Sequence, residues 1–260
     1  MDMTPPAKQS VRSTASLFVT CVVDQFYPEV GESTVRLLRR LGVELDFPEG
    51  QTCCGQPAFN SGFRSDAMPA ARRFLETFKD SPQIVVPSGS CTAMIRVYYP
   101  ELFQDDLETA QLAIEVGRKT FELSEFIVDQ LGVTDLAAAL PDRTQGQGQR
   151  VAYHPGCHLK RELGVVSQPL DLMDSLPEIE LVPFEQSDVC CGFGGTFSVK
   201  YPEISGAMLG DKVAAVRDSG AGTLAACDAT CLMQIGGGLE RQSVPIRTAH
   251  LAQILDEATS

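Results

Sequence analysis

The sequence predicts an α/β protein made of two pseudo-symmetric βαβ-type lobes, with mostly parallel sheets and cysteine loops at the strand C-termini. Three observations predict it. Short apolar, β-branched runs alternate with stretches of helical periodicity; the cysteine pattern repeats once; and those cysteines fall just after the apolar runs. Strands of a parallel sheet are apolar on both faces, and each parallel pair needs a helical crossover.

Taken in order, residues 1–15 read as a polar lead-in. SLFVTCVV at 16–23 has the short apolar character of a strand buried on both faces. Val35, Leu38 and Leu41 recur at helical spacing, and Gly42 stands where a helix C-cap belongs. VELDF at 43–47 is the next strand, stopped by Pro48. After the first Cys-Cys-Gly step, Met68, Ala71, Leu75 and Phe78 mark one face of a helix, with Pro69 tolerable in its first turn. QIVVP at 83–87 follows as a strand. The stretch 119–132 hints at a partner-binding helix, with core packing the simpler reading. The second half repeats the scheme: a strand at 150–154, a helix within PLDLMDSL, a strand at 178–184, a helix over 202–218, and strands at 223–227 and 244–250. ALPDRTQGQGQR at 139–150 is rich in Gly, Gln and charge and reads as a linker between a first repeat at 16–138 and a second at 151–260.

The repeat is written in sulfur. Nine cysteines stand at 21, 53, 54, 91, 157, 190, 191, 227 and 231. Sliding the chain by 136 to 140 residues lays 21 on 157, 53 on 190, 54 on 191 and 91 on 231. VPSGSCTAMI at 86–95 then covers ACDATCLMQI at 226–235, and Cys227, opposite Pro87, has no counterpart. The offset is far too long for a solenoid and indicates a duplicated unit. Cys21, Cys91, Cys157, Cys227 and Cys231 fall at or just beyond predicted strand C-termini, the edge where parallel α/β sheets bind ligands. Thiols far apart in sequence converge there.

Composition narrows the chemistry. A net charge of −13 and a pI near 4.6 disfavour nucleic acid and anionic membrane as partners. No apolar run approaches the roughly 20 residues of a membrane helix, and the N-terminus lacks a basic segment followed by a long apolar one. No nucleic-acid partner and no membrane insertion are expected, and the expected location is cytoplasmic, where thiols stay reduced. Converging thiolates in such a compartment suit zinc or an iron–sulfur cluster. Tight Cys-x2-4-Cys knuckles would mark zinc, and only Cys227–Cys231 has that spacing. Thiol–disulfide exchange at CDATC would explain neither vicinal pair. A vicinal pair aimed at one centre needs an irregular turn, which Gly55 and Gly192 permit; Gly192, Gly194 and Gly195 would also let backbone crowd a cluster and offer N–H donors to its sulfurs.

CCGQPAFNSG, VVPSGSCTAMI, VAYHPGCHLKRELGV, CCGFGGTFSVKYPEISGAML and CDATCLMQIGGGLERQ together resemble the cysteine-rich CCG domain, found twice in one of the chains of heterodisulfide reductase and in the iron–sulfur component of glycolate oxidase. From about 16 to 255 the chain is most similar to the lactate utilization protein A family. The resemblance implies one or two 4Fe–4S clusters. It implies a cytoplasmic electron-transfer role in a multi-subunit system that oxidises L-lactate to pyruvate for growth, with iron–sulfur and lactate-oxidising partner subunits. It implies ligands at Cys21, Cys53, Cys54 and Cys91 and at Cys157, Cys190, Cys191, Cys227 and Cys231. The alternatives are a heterodisulfide-reductase-like or glycolate-oxidase-type subunit, and a zinc-stabilised interaction module. The noncubane clusters of heterodisulfide reductase use five cysteines each. Here Met94 takes the place of the first repeat's last cysteine, and three residues rather than two separate Cys227 from Cys231. Cubane and noncubane arrangements both stay open.

His154 and His158 bracket Cys157 and are candidates for a hydrogen bond to cluster sulfur or for proton donation to a substrate, against a plain packing role. Lys160, Arg161 and Lys200 read first as solvated charge, and His250 as structural. No Gly-x-Gly-x-x-Gly follows a strand to open a helix, so a nicotinamide or flavin site is not supported, and the two-electron step of lactate oxidation is expected on another subunit.

Overall fold

A computed structural model describes residues 13–143 and 148–260. Most of the expected lead-in, and positions 144–147 of the expected linker, lie outside the described residues. Two wholly parallel four-stranded sheets form the frame. The first holds β1 (Thr14–Leu17), β2 (Glu44–Asp46), β3 (Ile84–Val86) and β4 (Thr120–Glu122) in the order β2-β1-β3-β4. The second holds β5 (Gln149–His154), β6 (Ile179–Leu181), β7 (Thr223–Ala226) and β8 (Arg247–His250) in the order β6-β5-β7-β8. The α/β class and the two-lobe plan are those the sequence predicts.

Several elements differ from the expectation. The strand expected over 16–23 stops at Leu17, and Cys21–Phe26 is a helix. A buried strand and a buried helical turn share the same apolar composition, so the run alone does not separate them. Pro69 lies inside the helix Arg64–Phe78 rather than in its first turn, because that helix begins before the apolar face becomes visible. The stretch 119–132 supplies β4 and then helical turns whose Leu123, Phe126 and Ile127 are buried, so it packs in the core.

The lobes dock through a shared core. Ala15 and Leu37 of the first lobe and Val151 and Leu255 of the second belong to one buried apolar cluster, while a separate cluster fills the outer side of each sheet. The docking is reciprocal: the helix Leu251–Ala258 after β8 packs on Pro28–Arg40 of the first lobe, and Leu123–Glu125 after β4 packs on Gln168–Asp174 of the second. Asp256, nearly buried, takes Arg36 at 2.8 Å together with Arg40 and pins the first of these contacts. The consequence is positional, since the C-terminal edges of both sheets face the same gap.

Candidate metal centre

Each strand end delivers its cysteines in the same way. Cys21 opens the helix Cys21–Phe26 just past β1, Cys53-Cys54 lie in the loop after β2, and Cys91 sits early in the helix Gly89–Ala93 after β3. In the second lobe Cys157 opens Cys157–Arg161 past β5, Cys190-Cys191 follow β6, and Cys231 lies in the first turn of Ala229–Arg241 past β7. All nine cysteines are free thiols. Within the first quartet Sγ atoms of Cys21 and Cys53 are 3.5 Å apart and those of Cys54 and Cys91 3.3 Å. Within the second, Cys191 and Cys231 are 3.2 Å apart, and Cys157 lies beside Cys190.

The Cys-Cys-Gly turn is the same device in both lobes. Gly55 and Gly192 each have φ +84° and each point an N–H at the sulfur two residues back, Cys53 and Cys190, at 3.4 Å. A Cβ on Gly55 would stand 3.0 Å from the Ala67 carbonyl oxygen, and one on Gly192 would stand 2.9 Å from that of Ser205. Glycine is therefore required twice over, by backbone angle and by space. The bonds from Cys21, Cys54 and the Gly55 N–H hold Cys53 well below the ordinary thiol range; those from Cys157, Cys191 and the Gly192 N–H do the same for Cys190. The donor thiols Cys21, Cys54, Cys157 and Cys191 are pushed up by the same bonds and by burial. Cys231 is lowered to about 6, first by the bond from Cys191 and also by His154. Each lobe thus holds thiolate at a water-poor site, the state a soft metal needs.

The two quartets share one cavity of about 350 Å³, lined by Cys21, Cys53, Cys54, Cys91, Cys157, Cys190, Cys191 and Cys231. Gly194, Gly195 and His158 line it too. Hydrogen bonds tie the lobes together around it. Ser61 Oγ and Thr196 Oγ1 are 2.6 Å apart, and Asp228 accepts from Ser88 Oγ at 2.8 Å and from Ser90 N–H at 3.0 Å.

Cys227 stands apart from the eight. It follows β7 immediately, is buried in the inter-lobe core, and has its sulfur 3.3 Å from the Tyr153 hydroxyl. The helix starting at Ala229 carries Cys231 to the cavity and leaves Cys227 behind, so short spacing does not make the two neighbours in space. Its surroundings include two residues that sequence reasoning did not single out or read as structural, Glu122 and His250. They end β4 and β8 and cap the following helices in the same way. Burial raises Glu122 to about 7 and lowers His250 to about 4.

His154, the last residue of β5, places its ring nitrogen within 4.8 Å of the Cys191 and Cys231 sulfurs. His158 faces the cavity with Nδ1 3.0 Å from Glu162 Oε1. Lys160 pairs with Asp188 at 3.1 Å and Lys200 lies over the Phe63 ring, so neither charge is directed at the sulfurs.

A profile of the cysteine-rich CCG domain matches residues 15–96 and 151–236, the two halves that carry the quartets. The chain is 48% identical over 241 residues to lactate utilization protein A of Bacillus subtilis (strain 168), covering 93% of this chain and 98% of that one. The chain belongs to the lactate utilization protein A family. Identity to the family members of Geobacillus thermodenitrificans (strain NG80-2) and Shouchella clausii (strain KSM-K16) is 46% over 241 residues, again covering 93% of this chain and 98% of each relative. In family terms, the duplicated profile and the duplicated quartets coincide. The Cys/His grouping is compatible with a metal or iron–sulfur cofactor. No helix among the described residues is long and apolar enough to cross a membrane.

Proposed function

We propose that this protein is an iron–sulfur electron-transfer subunit of a system that oxidises L-lactate to pyruvate, with one 4Fe–4S cluster on Cys21, Cys53, Cys54 and Cys91 and another on Cys157, Cys190, Cys191 and Cys231. One observation carries the reading: eight reduced thiols, four from each lobe, line a single cavity large enough for more than a lone ion. The names of the relatives supply the lactate context. The donors fit the group, since each quartet offers four soft ligands, a low-lying thiolate and a backbone N–H directed at sulfur. When bound, such clusters accept and release single electrons.

The chain's own part is to bind and to exclude water. Gly55 and Gly192 bring N–H dipoles to the sulfurs, which stabilises added negative charge. Val199, 80% exposed at the cavity wall, offers an apolar rim on which a partner subunit of the lactate system can seat. Partners would deliver electrons from the substrate and carry them away. The proposed setting is the cytoplasm, which would keep the thiols reduced.

A second reading is favoured by the sulfur contacts of 3.2–3.5 Å, close to the S···S spacing of about 3.8 Å around a tetrahedral zinc with Zn–S of about 2.3 Å. Anaerobic purification followed by iron, zinc and acid-labile sulfide assays separates the two. Equal iron and sulfide support the clusters; a colourless protein with one zinc per lobe refutes them. Growth of a deletion strain on lactate and on glycolate then tests the substrate.

A further inference from the structure

The two quartets match in sulfur and differ in what stands behind it. The shift of 136 residues that lays Cys21 on Cys157 lays Phe18 on His154. Phe18 is fully buried and packs edge-on against Phe74 and Phe78, with ring centroids 4.8 and 5.6 Å away. His154 is just as buried, at 1% exposure, but polar. Its Nδ1 is 3.0 Å from the Ser187 carbonyl oxygen. A carbonyl only accepts, so Nδ1 carries a proton, and Nε2 is the nitrogen left to serve as a donor to a metal. That Nε2 is buried with no hydrogen-bond partner, and a ring nitrogen of His154 lies within 4.8 Å of the Cys191 and Cys231 sulfurs. An imidazole oriented by a backbone carbonyl on one nitrogen, with the other free beside two sulfurs, is the arrangement of a metal-ligating histidine.

A second exchange accompanies the first. The shift of 138 that lays Ala67 on Ser205, the residues crowding Gly55 and Gly192, lays Phe74 on Lys212. Lys212 is 2% exposed, and its Nζ donates to the carbonyls of Gln186 and Ser187, the latter at 3.1 Å. The aromatic pair Phe18–Phe74 of the first lobe has thus become a histidine and a lysine tied to one carbonyl.

We propose that His154 Nε2 is a metal donor of the second centre, beside Cys157, Cys190, Cys191 and Cys231, and that the first centre, with Phe18 in that place, has thiolates alone. A cation at Lys212, where the first lobe has Phe74, would make the second centre the more easily reduced of the two. The assignment rests on the iron–sulfur reading above.

The test is pulsed electron paramagnetic resonance on reduced, anaerobic protein, grown with natural-abundance or 15N-labelled histidine, with iron and sulfide assayed on each sample. The wild type should show nitrogen coupling that changes on 15N substitution. His154→Gln keeps an amide donor for Ser187 but removes the imidazole; it should lose the coupling completely. His158→Gln should keep the 15N-sensitive coupling, because that ring is held by Glu162. Iron and sulfide present without a 15N-sensitive coupling, or a coupling that survives in His154→Gln, overturns the assignment without touching the cluster reading. A wild type lacking iron and sulfide refutes the cluster reading, and this assignment falls with it.

Discussion

The N-terminal and C-terminal lobes place four sulfurs each by the same means and surround them differently. Strand ends, a glycine at φ +84° and a helix start fix the cysteines in both. The neighbours have diverged. Phe18 and Phe74 answer to His154 and Lys212, Ser88 answers to Asp228, and Glu122 answers to His250 at the ends of β4 and β8. Asp228 no longer caps its own helix; its carboxylate reaches over to Ser88 and Ser90 of the other lobe. The comparison teaches that geometry and electrostatics are set by separate residues. A duplicated scaffold can keep two sets of sulfurs while tuning one set apart from the other.

The largest effect should come from breaking one quartet at a time. Cys54→Ser and Cys191→Ser should each lose about half of the iron and sulfide, and neither should empty the other lobe. Loss of all iron in either variant would mean a single shared centre.

Next in size is the unequal pair at the ends of β4 and β8. Glu122 keeps its proton in the fold up to about pH 7, against 4.5 for the unperturbed group. Its raised value contributes stability that is full below pH 4.5 and lost as pH rises through 7, about 3 kcal/mol in total. His250, lowered to about 4 from 6.5, works the other way, and its contribution is lost as pH falls below 6.5. The two oppose each other between pH 4.5 and 6.5. Denaturant titrations should therefore show Glu122→Gln gaining on the wild type as pH rises from 5 to 8. A constant difference between the two curves would place the proton elsewhere.

A smaller loss, about 1–3 kcal/mol, is expected for Gly55→Ala or Gly192→Ala. Gly192→Ala should be the worse, since its Cβ also meets Met208 Cβ at 3.2 Å. Thermal melts of both variants compare the turns directly, and equal melting points would contradict the tighter crowding at Gly192. The smallest effect belongs to Cys227→Ser. Iron content should stay at the wild-type level, with stability changed by about 1 kcal/mol through the Tyr153 contact. A loss of iron would restore Cys227 to the ligand set.

The sequence made the strand-and-helix alternation and the duplicated cysteines legible because both are local. Buried strands such as IVV before Cys91 announce themselves by composition, and the helix Pro202–Asp218 begins at a proline suited to a first turn. Less was legible where one pattern serves two structures. The apolar run around Cys21 is half strand and half helix, and β4 is only three residues long, too short for a period-two signal. Cys227 looked like the partner of Cys231 because spacing carries no direction. The facing of the two quartets could not be read at all, because it depends on the reciprocal docking of the helices after β4 and β8, a tertiary event. His154 was visible as a histidine near Cys157, but its free Nε2 follows only from the Ser187 carbonyl.

The most direct test of two centres facing one cavity is the electron paramagnetic resonance spectrum of the fully reduced, anaerobic protein. Two reduced centres in one cavity should interact, giving a broadened spectrum that collapses to an isolated signal in Cys54→Ser and in Cys191→Ser. A wild-type spectrum equal to the simple sum of those two variant spectra would contradict the account.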